Sequence, residues 1–315
     1  MPWFIESGND GEIRRPKSEG RKKSEARTDR KRRIFRISLT FGFPSAFGFE
    51  KCPLIIHRER ACIRSMQTGD YEIAAFFALV AIFEVCERLW PARQVDRWRD
   101  LRLDVLSFAF ALTVNRVCTF LLRAWVGDTS PHFLAGAVAF LQGLSSPVKI
   151  VLAVFVVDFI IYWIHRAQHH YGVLWRTHAW HHSIEQMYWF AGFRTSFLHS
   201  FIYNIPQVVI PVTLFHLTPA EAGIGYSLGL LIQFWEHTNL NVNVGPFAWL
   251  IITPAYHRIH HSATVHRGKN LGTTFSLWDR FFGTYVDPAS VPDSFPLGLG
   301  ETVSPGKLPR MFLGV

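Results

Sequence analysis

The sequence predicts an all-α integral membrane protein with about four transmembrane helices and, on the cytoplasmic side, a helical cap carrying a histidine-rich site for two metal ions. Three observations lead there. Hydrophobic residues make up 49% of the 315 and charged ones only 18%, with 28 Phe and 11 Trp; that is apolar and aromatic for a soluble enzyme and suits a membrane protein with interfacial rings. Long apolar stretches recur along the chain. Thirteen of the fifteen histidines fall between His165 and His266, most of them at tight, repeated spacings beside those stretches.

Residues 1–65 are basic, carry Ser, Gly and Pro, and lack sustained periodicity, which predicts a disordered leader rather than a secretory signal. They hold sixteen Lys and Arg against eight Asp and Glu, whereas the rest of the chain holds seventeen against sixteen. The net charge of +9 therefore belongs to the leader, and a nucleic-acid partner is excluded for the nearly neutral body. Met66 precedes the first apolar stretch almost directly and is the expected native start. Residues 66–285 form the predicted membrane domain, and 286–315 a C-terminal tail.

The first candidate span is Tyr71–Trp90, long enough for a hydrocarbon core of about 30 Å but flawed by Glu84 and Glu87 near its end. Leu103–Leu122 is the second, interrupted by Asn115 and Arg116. Phe133–Leu144 is too short to cross and reads as interfacial. Val148–Ile164 is the third and runs straight into the first histidines. Ser200–Leu217 and Ala220–Trp235 read as a helical hairpin turned at Thr218-Pro219, with Pro206 and Pro211 kinking its first arm. The loop after the first span carries Arg93, Arg97, Arg99 and Arg102, with Arg88 at its edge, so it is expected in the cytoplasm. Counting spans forward then puts every histidine cluster on that same face. The cysteines Cys52, Cys62, Cys86 and Cys118 form no CxxC pair and are expected to be packing residues.

The histidines carry the chemistry. They fall as His165 and His169; as His178, His181 and His182; as a single His237; and as His257, His260 and His261. Residues i, i+3 and i+4 share a helix face, so each set can aim imidazoles in one direction. Within each HxxHH set the adjacent pair diverges by about 100°, so one member can serve one ion and its neighbour a second. Neutral imidazole suits iron, copper, nickel and zinc. Nine buried imidazoles without a cation would be costly to desolvate and would repel one another once protonated. His132, His199 and His216 stand alone and are expected to be ordinary packing residues, while His170 and His266 are expected beside the site or facing solvent.

The run Asp158-x3-Tyr162-Trp163-x-His165-Arg166-x2-His169, the run Leu174-Trp175-x2-His178-x2-His181-His182-Ser183, and His257-Arg258-x-His260-His261 resemble the fatty acid hydroxylase/sterol desaturase superfamily. Asn270-Leu271-Gly272 and Trp278–Thr284 are similar to that family's ending. Gln233–Thr238 and Thr253–Arg258 are similar to the branch containing alkylglycerol monooxygenase. Ser196 and Asn241 stand where many members carry histidine, and Lys269 where an Asp is common.

The resemblance implies a membrane enzyme of lipid metabolism holding two irons on the nine histidines, with no other catalytic residue, and using O2 to hydroxylate or desaturate a lipid. Its electrons would come from tetrahydrobiopterin or a separate reductase protein. Asp158, Glu185, Arg194, Glu236, Asn241 and Asp279 are the candidates for orienting the imidazole rings. The expected location is the cytoplasmic membrane of a bacterium or the endoplasmic reticulum of a eukaryote, with the site facing the cytoplasm. A membrane metal-binding or metal-transport protein without oxygenase activity is the alternative.

Overall fold

The computed structural model describes residues 77–127, 132–301 and 303–315. The basic leader, the proposed start at Met66, Cys52 and Cys62 lie outside the described residues, as does the beginning of the first candidate span. Ten helices are present among the described residues: α1 (residues 77–89), α2 (Arg97–Val126), α3 (Ala135–Gln142), α4 (Ser146–His170), α5 (Gly172–Ala179), α6 (Phe197–Thr213), α7 (Pro219–His237), α8 (Pro254–His260), α9 (Leu277–Phe282) and α10 (Leu308–Leu313). Short 3-10 turns link them, and β-pairing among the described residues is limited to isolated bridges such as Pro91 with Leu240.

The two longest helices frame the molecule. Asp96 caps α2 by accepting from Trp98 N, and Gly127 ends it with φ +57°. Pro147 opens α4, where a missing N–H costs nothing. Both are long and apolar enough to cross a bilayer, yet only 28% of the most apolar stretch of each is buried within the protein. The core helix of a soluble protein would be mostly covered. Here Phe120, Leu121 and Val151 face outward, which a lipid solvent favours.

α6 and α7 follow the expected hairpin in sequence. Thr218 and Glu221 form a reciprocal capping box and Pro219 starts α7. At seventeen residues, about 26 Å at 1.5 Å per residue, α6 falls short of a bilayer core. Two helices rather than four therefore satisfy the length and composition of a membrane span among the described residues. Each arm of the hairpin packs on α4, and α6 packs on α2 as well.

The inward stripe of α4 explains how the frame positions the chemistry. Ile150, Ala153, Asp158, Ile161, Tyr162, His165 and Gln168 are its buried residues, at helical spacing along one face. Phe215 and Leu217, from the α6–α7 connection, cover Ile150 and Ala153, each such buried side chain contributing about 1.5–3 kcal/mol. Tyr162 packs with Leu271 and Trp278. The face that locks α4 into the bundle thus carries His165 inward near its C-terminal end.

Acids that look misplaced in the sequence are tethers. Glu87 is buried, accepts from the backbone N–H groups of Trp189 and Asn239 at 2.9 and 2.7 Å, and pairs with Arg97 at 2.7 Å. Glu84 pairs with Arg97 and accepts from Trp189 Nε1. Asp104, fully buried on α2, accepts from Arg194 Nε at 2.9 Å and from Tyr188 at 2.9 Å. Together they bind the first two helices to the segment following the second histidine cluster.

Candidate metal centre

The nine histidines of the four clusters converge in two groups. His165, His169, His178, His182 and His260 bring one ring nitrogen each within 4.8 Å of one another, and so do His181, His237, His257 and His261. The adjacent pairs split as the helical geometry requires: His181 joins one group and His182 the other, and His260 and His261 divide likewise. The second cluster is not one continuous helix, however. α5 ends at Ala179, and His181–Ser183 form a 3-10 turn. The groups adjoin, with the His182 and His261 rings stacked at 4.5 Å.

The hydrogen bonds fix which nitrogen is free. The Nδ1 atoms of His165, His181, His237 and His260 lie against the carbonyls of Leu271 (2.7 Å), Arg194 (3.1 Å), Gln233 (2.8 Å) and Lys269 (3.1 Å). A carbonyl only accepts, so each Nδ1 carries the proton and each Nε2 presents a lone pair. His181 and His237 then face one another Nε2 to Nε2 at 3.3 Å with no proton between them. Around them His257 Nε2 lies 3.1 Å from His237 Nε2, and His261 Nε2 3.1 Å from His181 Nε2.

The other group repeats the pattern. His165 Nε2 meets His178 Nε2 at 2.9 Å and His260 Nε2 meets His182 Nε2 at 3.0 Å, while His169 Nε2 is buried without a hydrogen-bond partner. Bonds of about 2.1 Å to one first-row ion, at right angles, would space two nitrogens by about 3.0 Å. The donor set fits a cation in each group. Protons are poor substitutes: burial, reinforced by neighbouring rings, holds His178, His181, His182, His257, His260 and His261 well below the usual histidine range.

The candidates for orienting these rings divide. Glu236 is buried, with its oxygens 3.5 Å from Nδ1 of His237 and of His257. Asp279 accepts from Leu271 N and Gly272 N at 2.7 Å each and from the Tyr256 hydroxyl, so it holds the loop whose Leu271 carbonyl takes the His165 proton. Asn270, at φ +55°, secures the same loop through Tyr256 and Val286. Asp158 accepts from Thr273 and Trp278 and fastens that loop to α4 without touching a histidine. Arg194 supplies its carbonyl to His181, and its guanidinium joins Ser183 O to Asp104.

Two candidates lie elsewhere. Glu185 pairs with Arg99 at 2.5 Å, away from the histidines, because the turn after Ser183 points it outward. Asn241 is exposed, in the segment that leaves α7 for the surface. His170 and His266 are also exposed.

His199 departs from expectation in the opposite sense. It is buried on α6, stacked on His178 at 4.7 Å, with Nδ1 3.1 Å from His178 Nδ1. Gln168 Nε2 donates to that same His199 nitrogen at 3.2 Å, so His178 must supply the proton of the contact and keeps its Nε2 lone pair for the group. A solitary histidine in an apolar helix gives no signal of this. Ser196, where many members carry histidine, donates to Thr177 O and accepts from His199 N, capping α6.

Two long outward-apolar helices, with two nests of facing imidazoles gathered near the end of α4, define the class: a membrane protein with a histidine-rich metal site. Residues 150–284 match the family model described as Fatty acid hydroxylase. Alkylglycerol monooxygenase of Xenopus tropicalis is 36% identical over 134 residues, 41% of this chain and 29% of that protein. Ornithine lipid hydroxylase of Rhizobium tropici is 26% identical over 239 residues, 74% of this chain and 71% of its own. Human lathosterol oxidase is 30% identical over 166 residues, 51% and 52% of the two chains. The match spans less than a third of the alkylglycerol monooxygenases. No solved structure matches the chain. Residues 150–284, the stretch that holds all nine clustered histidines, thus resemble the fatty acid hydroxylase family, and the chain is similar to the alkylglycerol monooxygenases.

Proposed function

We propose that this protein is a membrane di-iron oxygenase that uses O2 to hydroxylate or desaturate a lipid. The observation that carries it is the facing of deprotonated imidazole nitrogens in two adjoining groups inside a domain of this family. His165, His169, His178, His182 and His260 hold one iron and His181, His237, His257 and His261 the other. When bound, the iron pair supplies activation of O2 toward an unactivated C–H bond.

The protein's own part is positioning. Carbonyls of Leu271, Arg194, Gln233 and Lys269 take the outer protons, fixing ring orientation. Glu236 is placed to take the proton of His257 Nδ1, which makes no other contact. With imidazoles alone as ligands the metal charge stays largely uncompensated. Eight of the nine histidines are buried and His169 is half-buried, which limits the access of bulk water to the reacting centre.

In the topology expected from the sequence, the candidate span at 71–90, α2 and α4 cross the membrane, and the α6–α7 hairpin enters it and returns to the same face. The arginines at 88, 93, 97, 99 and 102 put the loop between α1 and α2, and with it the histidines, on the cytoplasmic face. The membrane is the cytoplasmic membrane of a bacterium or the endoplasmic reticulum of a eukaryote. Electrons come from a reductase protein or a pterin. A metal carrier would need ionisable groups along a path through mid-bilayer, whereas the histidines gather at one end of α4 and Asp158 is consumed by Thr273 and Trp278.

The test is oxygen-isotope incorporation. Iron-loaded protein given a reductant, heavy-isotope O2 and the source membrane lipids is expected to yield a labelled lipid alcohol or an alkene two hydrogens lighter, with neither from His181→Ala. Turnover that persists in His181→Ala, or folded protein that binds no iron, contradicts the proposal.

A further inference from the structure

A cavity of about 1020 Å³ opens beside the histidines, and it reaches only one of the two groups. His169, His182 and His260 line it, all from the five-histidine group, and no member of the four-histidine group does. Trp175 and Ala179 of α5 form one wall. The other wall is the C-terminal segment, which the sequence marks only as a tail. α10 lies against α5 and α6, with the Phe312 ring tilted 4.3 Å from Phe110 of α2 and edge-on 5.7 Å from Trp180. Gly314, at φ +84°, comes so close that a Cβ there would sit 2.6 Å from Ser196 Oγ.

The mouth of this cavity is basic. Arg176, Arg267, Lys307 and Arg310 stand around it, against Glu301, which pairs loosely with Lys307 at 3.6 Å. Arg267 is engaged with the Ala263 carbonyl, whereas Arg176 and Arg310 are exposed and their guanidinium groups make no hydrogen bond or ion pair. Phe110 lies on a helix long and apolar enough to span the bilayer, so the wall built on it is continuous with an apolar helix surface.

We infer that this cavity is the lipid-binding site, and that Arg176 and Arg310 select a lipid bearing an anionic group, a phosphate or a carboxylate, in its head. This rests on the oxygenase reading and names the substrate class of that site. The shape favours a lipid over a protein partner. A cavity this size admits a head group and the first part of a chain (small-molecule pockets run about 300–1000 Å³), while a docking protein would need a broad flat face. Of the lining residues the cationic Arg176, Arg267, Lys307 and Arg310 are exposed while Trp175, Ala179 and Leu299 are half-buried, which suits a charged head held outside an apolar chain. Guanidinium forks suit planar bidentate acceptors such as phosphate and carboxylate.

The experiment is equilibrium binding by native mass spectrometry. Iron-loaded full-length protein in neutral detergent is titrated with phosphatidylglycerol or with phosphatidylcholine of identical acyl chains. The wild type is expected to bind the anionic lipid at least tenfold more tightly. Arg176→Glu/Arg310→Glu is expected to reduce that preference to twofold or less, and Arg176→Gln/Arg310→Gln to fall between, with iron content and affinity for the neutral lipid unchanged. Equal binding of the two lipids by the wild type, or full preference in the charge-reversed variant, overturns the inference. Inorganic phosphate that displaces the lipid at the lipid's own concentration would mark a small-anion site and overturn it too. A variant that keeps the lipid preference but is no longer reduced by an acidic donor protein would assign the arginines to protein docking instead. The two levels fail separately: loss of iron sinks the oxygenase reading, and iron-loaded protein without head-group preference sinks only this one.

Discussion

A single added carbon at Gly192 is expected to empty half of the metal centre. An alanine Cβ there would lie 2.8 Å from both Cγ and Nδ1 of His237. Comfortable carbon contacts are about 3.5–4.0 Å, so the ring or the turn carrying Gly192 has to move by about 0.7 Å or more. A metal–ligand bond tolerates about 0.2 Å. The ring has little freedom to comply, because Gln233 O holds its Nδ1 at 2.8 Å and Gln233 Nε2 is itself bonded to Gly192 O at 2.9 Å. Gly192→Ala should therefore lose His237 as a ligand and drop from two irons per chain to about one, by elemental analysis of purified protein. Gly229→Ala is the control on α7, since nothing lies within 4 Å of its Cβ. It should keep both irons and gain up to about 1 kcal/mol of stability from helix propensity. Full iron occupancy in Gly192→Ala, with a folded protein, would refute the reasoning.

Other outcomes follow from the same geometry. His199→Leu removes the acceptor for His178 Nδ1 and should weaken metal binding at the five-histidine group about 10–100-fold in a chelator competition; unchanged affinity would contradict that role. Asp104→Ala leaves the buried Arg194 guanidinium with only Asp100, at 3.5 Å, and should cost about 3 kcal/mol in denaturant unfolding. Glu185→Ala, which breaks an exposed pair, should cost about 1 kcal/mol or less.

The pH dependence of the metal-free protein has a definite sign. Burial depresses the histidines of the second and fourth clusters, so below about pH 6.5 the unfolded chain binds more protons than the folded one. Stability present above that pH should fall as the solution is acidified through it toward the folded values. A denaturation midpoint unchanged between about pH 7.5 and 5 would contradict this.

Much of the centre is legible in the sequence because helical spacing is a local property. The division of His181 from His182 and of His260 from His261 follows from 3.6 residues per turn, and it survives even where the second cluster turns into a 3-10 segment. The resemblance likewise marks Asp279 and Asn270, which act on the loop carrying Leu271. What is hidden depends on long-range packing. Asp104 and Arg194 are ninety residues apart, and Glu87 meets Asn239 across 152. His199 gains its place only when α6 packs beside α4 and α5. Glu185 misleads because its proximity to His182 in sequence is undone by one turn of backbone. The C-terminal residues carry weak periodicity of their own, and their place over the histidines comes from Phe312 and Gly314 meeting α2 and Ser196.

The proposed oxygenase requires two adjoining ions, one on five imidazoles and one on four. Mössbauer spectroscopy of the reduced, iron-loaded protein reads this directly. Two ferrous signals of equal area and different splitting are expected, with Gly192→Ala keeping the one that belongs to the five-histidine group. A single signal at one iron per chain, or none in folded protein, would contradict it.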